Sequence, residues 1–470
     1  MGVGRQRGDA AAATGIHLCS GNEQHFPDRA DRPFRLGDYR RLCRLLRSSR
    51  RAGKALAPGQ RLPSAGAIGR QMIDIALLAS DLAWPLTILI AWLAGELAHQ
   101  TWKIPRISIY ALVGFVFGPA QLAVLPHSQS ASMLLLANIA FGLILFECGY
   151  RINLRWLLAN PWIGATSLAE ALLTFLAVYF LASCFELPAS TALLLAALSM
   201  ATSPATIVRV VNEQRSSGQV TERVLHLSAL NCVLAVLVFK IIVGLVVFET
   251  SGSLWEASYN SLIVLSVSVI IGASAGFAVP ALLRFTHRTN QDSTLAFTIS
   301  IICLVALAHS LKLSPVLAAL TFGLSARHRR IVFNSSQRGF GTLGDLLSVL
   351  LFVFIAATLE WRQVVAGIGL GLAIIAVRQL AKIIGIGIFA RISGISLRKG
   401  LLVGMASTPI SAFVILVLEQ TRYLGINLVE ELAPLAAAAL ILEVLGPIFI
   451  QRALIWAHEV PDAEEPARAP

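Results

Sequence analysis

Residues 197–244 read ALSMATSPATIVRVVNEQRSSGQVTERVLHLSALNCVLAVLVFKIIVG. Two apolar stretches flank a polar, charged hairpin. Each stretch carries polar residues at mid-depth: Thr202, Ser203 and Pro204 in the first, Ser228, Asn231 and Cys232 in the second. The second set, spaced i, i+3 and i+4, shares one helical face. Pro204 has no backbone N–H and clashes with the preceding turn, so the first helix is expected to kink or unwind there. Carbonyls freed inside a bilayer are tolerated only where they are buried in protein or line a wet cavity. A broken helix facing a polar patch at the midplane is one way secondary transporters build an ion site.

The rest of the chain supports a membrane setting. Of its 470 residues, 56% are hydrophobic and 14% charged, and the mean hydropathy is +0.72. A soluble domain carries about 25% charge, so the composition excludes that class and implies a polytopic all-α membrane protein. The net charge of +12 suggests nucleic acid at first sight, but 14 Lys/Arg against 5 Asp/Glu fall within residues 1–70. The apolar remainder is nearly balanced, so no nucleic-acid partner is expected. The six cysteines, at 19, 43, 148, 184, 232 and 303, form no CxxC pair, which points to neither a zinc site nor a disulfide framework.

Apolar runs of bilayer length fall near 77–97, 105–124, 130–149, 160–184, 189–211, 224–249, 259–283, 294–311, 313–325, 341–359, 365–390, 399–420 and 431–455. The division between 294 and 325 rests on Lys312 and Pro315 alone. Loops after odd-numbered runs carry fifteen Lys/Arg, among them Arg151, Arg215, Arg327 and Arg391; those after even-numbered runs carry Lys312, Arg362 and Arg422. This positive-inside bias predicts 13 crossings, a cytoplasmic C-terminus, a 458–470 tail on that side, and an N-terminus outside. An arginine-rich segment would then have to cross the membrane. Either the extension translocates regardless of its charge or, the favoured resolution, the mature protein starts near Met72; in both cases residues 1–71 are expected to be disordered and to carry no site.

A second interruption occurs far downstream. Gly404-Met405-Ala406-Ser407-Thr408-Pro409-Ile410 repeats the small-hydroxyl-hydroxyl-proline order of Ser199-Met200-Ala201-Thr202-Ser203-Pro204-Ala205. Matching broken helices in two halves point to a transporter binding site, and the single run 259–283 between the halves would invert the second. Gly114/Gly118 and Gly272/Gly276 are GxxxG pairs that permit close helix contact.

Ionisable groups within the runs sharpen the site. A charge at mid-membrane costs roughly 2.5–3.5 kcal/mol on insertion scales, so each needs a partner or a wet cavity. Glu147, Glu170, Lys240, Arg378, Lys382 and Glu443 are the candidates. Lys240 is expected to snorkel toward a helix end. Arg378 and Lys382, at i and i+4, share a face and repel each other, so an anion must approach them. Glu170 is the first choice of partner and Glu443 the second. No HExxH or GxSxG motif supports an enzyme.

These features together resemble the monovalent cation:proton antiporter superfamily, in its sodium/hydrogen exchanger domain family. The likeness runs through Glu96-Leu97, Lys103-Ile104-Pro105-Arg106 and Gly118-Pro119, the Thr-Ser-Pro break, Leu311-Lys312-Leu313-Ser314-Pro315 to Gly323, and Gly446-Pro447. It implies an exchanger domain over 72–457, with core helices in 160–249 and 365–455. Dimerisation or scaffold helices would lie in 77–149 and 294–359, with a linker helix at 259–283. It further implies monovalent cation and proton substrates, no cofactor, no metal beyond a transient monovalent cation, a homodimer in the lipid bilayer, and a bacterial inner-membrane location. The pathway would use Glu170, Thr202, Ser203, Pro204, Asn231, Cys232, Arg378, Lys382, Ser407, Thr408 and Pro409. The chain departs from the family at Cys232, where an ion-binding Asp is usual. A network of Asn231, Glu170 and Arg378 could survive without it.

Overall fold

The computed structural model describes residues 75–126, 131–248, 254–285, 293–328, 340–423 and 432–461. The expected extension 1–71 and residues 462–470 of the expected tail lie outside them. The described helices are α1 (Ile75–Trp102), α2 (Arg106–Phe117), α3 (Ala131–Arg151), α4 (Leu154–Ala159), α5 (Pro161–Cys184), α6 (Ala189–Ser199), α7 (Pro204–Gln214) and α8 (Gln219–Phe248). They continue as α9 (Leu254–Phe285), α10 (Ser293–Ser310), α11 (Pro315–His328), α12 (Gly341–Ala357), α13 (Trp361–Ala390), α14 (Leu397–Ala406), α15 (Ala412–Tyr423) and α16 (Ala433–Trp456). No strand occurs among the described residues, only an isolated antiparallel bridge between Thr202 and Ile410.

Helix α5 shows what solvent the chain is built for. Leu168, Leu172, Leu176 and Phe180, four residues apart, are exposed, whereas Thr166, Ser167, Glu170 and Thr174 are buried. A water-soluble helix turns its apolar stripe inward; this one turns it outward, as a lipid solvent demands. The same inversion holds in α13, with Ile368, Leu372, Leu380 and Ile384 exposed and Arg378 and Lys382 buried. Helices α1, α3, α5, α8, α9, α13 and α16 are each long and apolar enough to cross a bilayer. The protein is an integral membrane protein.

Each of the thirteen predicted runs finds a helix or a pair of half-helices, and the division at Lys312–Pro315 is the gap between α10 and α11. The order in the first half is α1, α2, α3, α5, the broken pair α6/α7, then α8. The second half repeats it as α10, α11, α12, α13, the broken pair α14/α15, then α16, with α9 alone between. Only the short α4 was not anticipated. Its six residues carry no period long enough to read, although Asn153 caps it by accepting from Trp156 N at 3.3 Å.

Packing uses small residues where backbones meet. A Cβ on Gly272 would lie 2.2 Å from Ala318 O, and one on Gly114 2.4 Å from Val353 O, so both GxxxG pairs sit at close helix contacts of α9 with α11 and α2 with α12. Phe146 fills the space between α3, α10 and α11, with ring centroids 4.8 Å from Phe322 and 5.4 Å from Phe297. At the far end of the chain Glu459 returns to α8. Its carboxylate accepts from Val220 N, Thr221 N and Thr221 Oγ1, each at 2.8 Å, and its carbonyl accepts from Ser217 N at 3.0 Å. A distant residue thus caps the first turn of α8, where backbone N–H groups lack helical partners.

Candidate functional site

The two helix breaks lie against each other. In the first, α6 ends at Ser199 and the chain runs extended to Ser203, which starts α7 with Pro204 at its first position. A proline is tolerated there because that N–H has no helical partner anyway. The hydroxyl of Ser203 accepts from Thr206 N at 3.3 Å and meets Thr206 Oγ1 at 2.8 Å, so it caps the half-helix. In the second, α14 ends at Ala406 and α15 begins at Ala412. The extended segments pair through the Thr202–Ile410 bridge and a bond from Ser203 N to Pro409 O of 3.1 Å.

Arg378 ties the crossing together. Its Nε donates to Ser199 O at 2.8 Å, and its Nη2 to Ala201 O at 2.9 Å and Pro409 O at 3.2 Å, while Nη1 donates to Thr408 O. Ser199 O is the last carbonyl of α6, and the other three belong to the unwound segments. The C-terminal end of α6, worth about half a negative charge, and the unwound carbonyls of both breaks thus converge on one guanidinium. The expected network of Asn231, Glu170 and Arg378 is corrected here, because Arg378 is occupied by backbone and makes no bond to Glu170.

Lys382, one turn further along α13, is the partner of Glu170. Its ammonium donates to Glu170 Oε1, to Thr202 Oγ1 at 3.0 Å and to Met200 O at 3.4 Å. The other carboxylate oxygen, Oε2, accepts from Asn231 Nδ2 at 2.5 Å, and the same Nδ2 lies 3.3 Å from Thr202 Oγ1. Ser167 Oγ completes the group by donating to Asn231 Oδ1 at 2.7 Å. Glu170, Thr202, Asn231 and Lys382 are all fully buried. The approach of α13 to α5 is possible because residue 385 is glycine: a Cβ there would lie 2.6 Å from the Glu170 Cα.

The remaining predicted residues fall beside this cluster. Cys232 is buried, with its sulfur 3.9 Å from Ser411 Oγ. Ser228 bonds to Leu225 O within its own helix at 2.9 Å. Ser407 and Thr408 turn their hydroxyls back onto α14, to Val403 O at 2.9 Å and to Met405 O, so from this pair the second break offers backbone to the Glu170 cluster, while the Ser411 hydroxyl faces Cys232. Glu443 is buried on α16; its Oε1 has no hydrogen-bond partner among the described residues, and no bond joins it to Arg378 or Lys382. It is not the anion that faces the two cations. Glu147 is buried rather than snorkelling, and accepts from Asn212 Nδ2 at 2.7 Å and from Arg151 Nη2 at 3.2 Å.

Beyond the C-terminal end of the extended segment, α7 carries a second set of charges. Arg209 donates to Asp345 Oδ1 at 3.2 Å and Gly344 O at 3.0 Å on α12. Glu213 meets His99 Nδ1 at 2.8 Å and Arg106 Nη1 at 3.4 Å. An open cleft of about 930 Å³ lies here between α1, α2, α7 and α12, lined by Trp92, Tyr110, Arg209, Glu213 and Asp345 among others.

Residues 86–456 match the sodium/hydrogen exchanger transmembrane family. The chain belongs to that family. In fold this exchanger-family chain is similar to the sodium proton antiporter MjNhaP1 of Methanocaldococcus jannaschii. The likeness has a TM-score of 0.62 at 19% identity, covering 83% of this chain and 97% of the other. A second structure of that antiporter, at pH 8, gives 0.60 at 17%, covering 81% and 97%. Identities this low speak to the fold alone. No curated protein matches the sequence. Family membership accounts for a transporter architecture. Ser167 is the part of this cluster that the sequence does not signal: one hydroxyl among several in an apolar helix carries no meaning until its partner is known.

Proposed function

We propose that this chain exchanges a monovalent cation, Na⁺ or K⁺, for protons across the membrane by alternating access, with Glu170 as the carboxylate that both compete for. The observation that carries this reading is the burial of Glu170 between Lys382 and Asn231 at the crossing of two broken helices. Unwound carbonyls and half-helix ends are the groups with which transporters hold ions. A carboxylate oxygen that releases its proton can accept a cation in the same place, so the two ligands exclude each other and their fluxes couple. MjNhaP1, the sodium proton antiporter of similar fold, supports the substrate class.

In this proposal the core of 160–249 and 365–455 moves against the scaffold of 77–149 and 294–359, linked by 259–283, and the protein works as a homodimer in a bacterial inner membrane with its C-terminus cytoplasmic. The bonds of Arg209, Asn212 and Glu213 to α12, α3 and α1–α2 are the contacts such a movement would exchange.

A second reading has two observations in its favour. Cys232 stands where the resemblance calls for an ion-binding Asp, and Lys382 already neutralises Glu170, which would make the chain an uncoupled or differently selective member that senses or scaffolds. Proton movement in everted vesicles separates the two. On addition of Na⁺, K⁺ or Li⁺ the natural chain dissipates the gradient and Glu170→Gln does not, if exchange runs through Glu170. Activity in Cys232→Asp alone establishes the second reading.

A further inference from the structure

The Asn231 amide is held at both ends. Its Nδ2 donates to Glu170 Oε2 at 2.5 Å, and its Oδ1 accepts from Ser167 Oγ at 2.7 Å. An ionised carboxylate can only accept, so the amide nitrogen has to face Glu170. The flipped amide would set two acceptors against each other. Nothing in the Asn231 side chain itself prefers one orientation, since its two ends have nearly the same shape. Ser167 sits one turn before Glu170 on the same helix and is 1% exposed, and among the described residues it is the hydrogen-bond partner of Oδ1. A hydroxyl proton there gives the amide oxygen a place to point.

We infer that Ser167 is a positioning residue for exchange: by donating to Asn231 Oδ1 it holds the amide nitrogen against Glu170. This rests on the proposal that Glu170 is the exchanging group. The other groups facing Glu170 and its amide act elsewhere. Lys382 from α13 meets Oε1, Thr202 from the first break meets Lys382 and the amide nitrogen, and Arg378, one turn before Lys382, is taken up by backbone carbonyls. None of them reaches Oδ1.

The test is the pH profile of cation-dependent proton movement in vesicles holding the full chain. Ser167→Ala is expected to move the half-maximal pH of exchange by about one unit, the size of one weakened hydrogen bond to a charged group. Ser167→Thr, which keeps the hydroxyl, restores the profile. In an Asn231→Leu background, adding Ser167→Ala changes nothing further, because its target is gone. A Ser167→Ala profile equal to the natural one, with Glu170→Gln inactive, overturns this inference and leaves the proposed function standing. Equal losses in the Ala and Thr variants also overturn it, since they report a packing role. A Glu170→Gln variant that exchanges with the natural profile overturns the proposed function and this inference with it.

Discussion

The two breaks share a sequence pattern and divide the chemistry unequally. At the first, the Thr202 hydroxyl stands between Lys382 and Asn231. At the second, the hydroxyls of Ser407 and Thr408 are spent on their own helix, and what faces the crossing is the carbonyl oxygen of Thr408 and of Pro409, both accepting from Arg378. One break contributes a side chain to the buried carboxylate's surroundings, and the other contributes backbone to a structural clamp. A hydroxyl-hydroxyl-proline run therefore forecasts where a membrane helix unwinds, but not which of its oxygens face the site. Serine and threonine readily bond back to carbonyls three or four residues earlier, and whether they do depends on what stands across the gap. Lys382 stands across the first.

The division can be broken most directly at Arg378. Arg378→Met removes every bond from the guanidinium to both breaks at once. We expect a cost of about 3–5 kcal/mol, since several buried carbonyls lose a charged donor at about 1–3 kcal/mol each, read as a large drop in thermal midpoint of the detergent-solubilised protein. Arg378→Lys should recover little, because an ammonium cannot reproduce a planar fork of donors. A loss below about 1 kcal/mol would mean the breaks hold without the clamp.

Gly385→Ala comes next. The added methyl meets the Glu170 backbone, and overpacking of this kind costs about 1–3 kcal/mol. Because the clash is at Glu170 itself, exchange should suffer more than the melting point does. A variant that melts early and exchanges normally would separate the packing of α13 on α5 from the site.

The sharpest comparison is Thr202→Val against Thr408→Val. The first removes the oxygen shared by two buried donors and is expected to cost about 1–3 kcal/mol with most of the exchange activity. The second removes a bond within one helix and is expected to stay under about 1 kcal/mol with activity retained. The reverse order would show that the second break faces the transported ion. Smallest of all, Ser407→Ala should fall within about 0.5 kcal/mol of the natural chain, measured by the same melt.

Much of this architecture is legible in the sequence because the bilayer enforces it. Backbone polar groups must be satisfied within the segment, so apolar length, with Lys312 and Pro315 as breakers, locates thirteen helical runs, and prolines beside hydroxyls mark the two that break. The partnership of Lys382 with Glu170 was also within reach, since a buried cation needs an anion and Glu170 lies at mid-depth. What the sequence cannot separate is Arg378 from Lys382. They share a face one turn apart, and their roles differ by about 6 Å along the helix, a distance that matters only once the height of the breaks is known. Ser167 is invisible for a related reason. Its importance comes entirely from a residue 64 positions away, and a serine among alanines and leucines reads as a packing residue. The short α4 escaped because six residues make too little period to detect.

The docking of Glu459 onto the start of α8 has a practical side. Gly218 lies directly under that carboxylate, where a Cβ would come within 2.3 Å of the Glu459 Cδ. Anyone shortening this chain, fusing a reporter to it or inserting an epitope should treat Trp456 as too early a place to cut. A version ending there loses the carboxylate that satisfies Val220 and Thr221, three helical turns from Asn231. Assays on such a trimmed protein would be reporting on a frayed α8 rather than on the carrier itself.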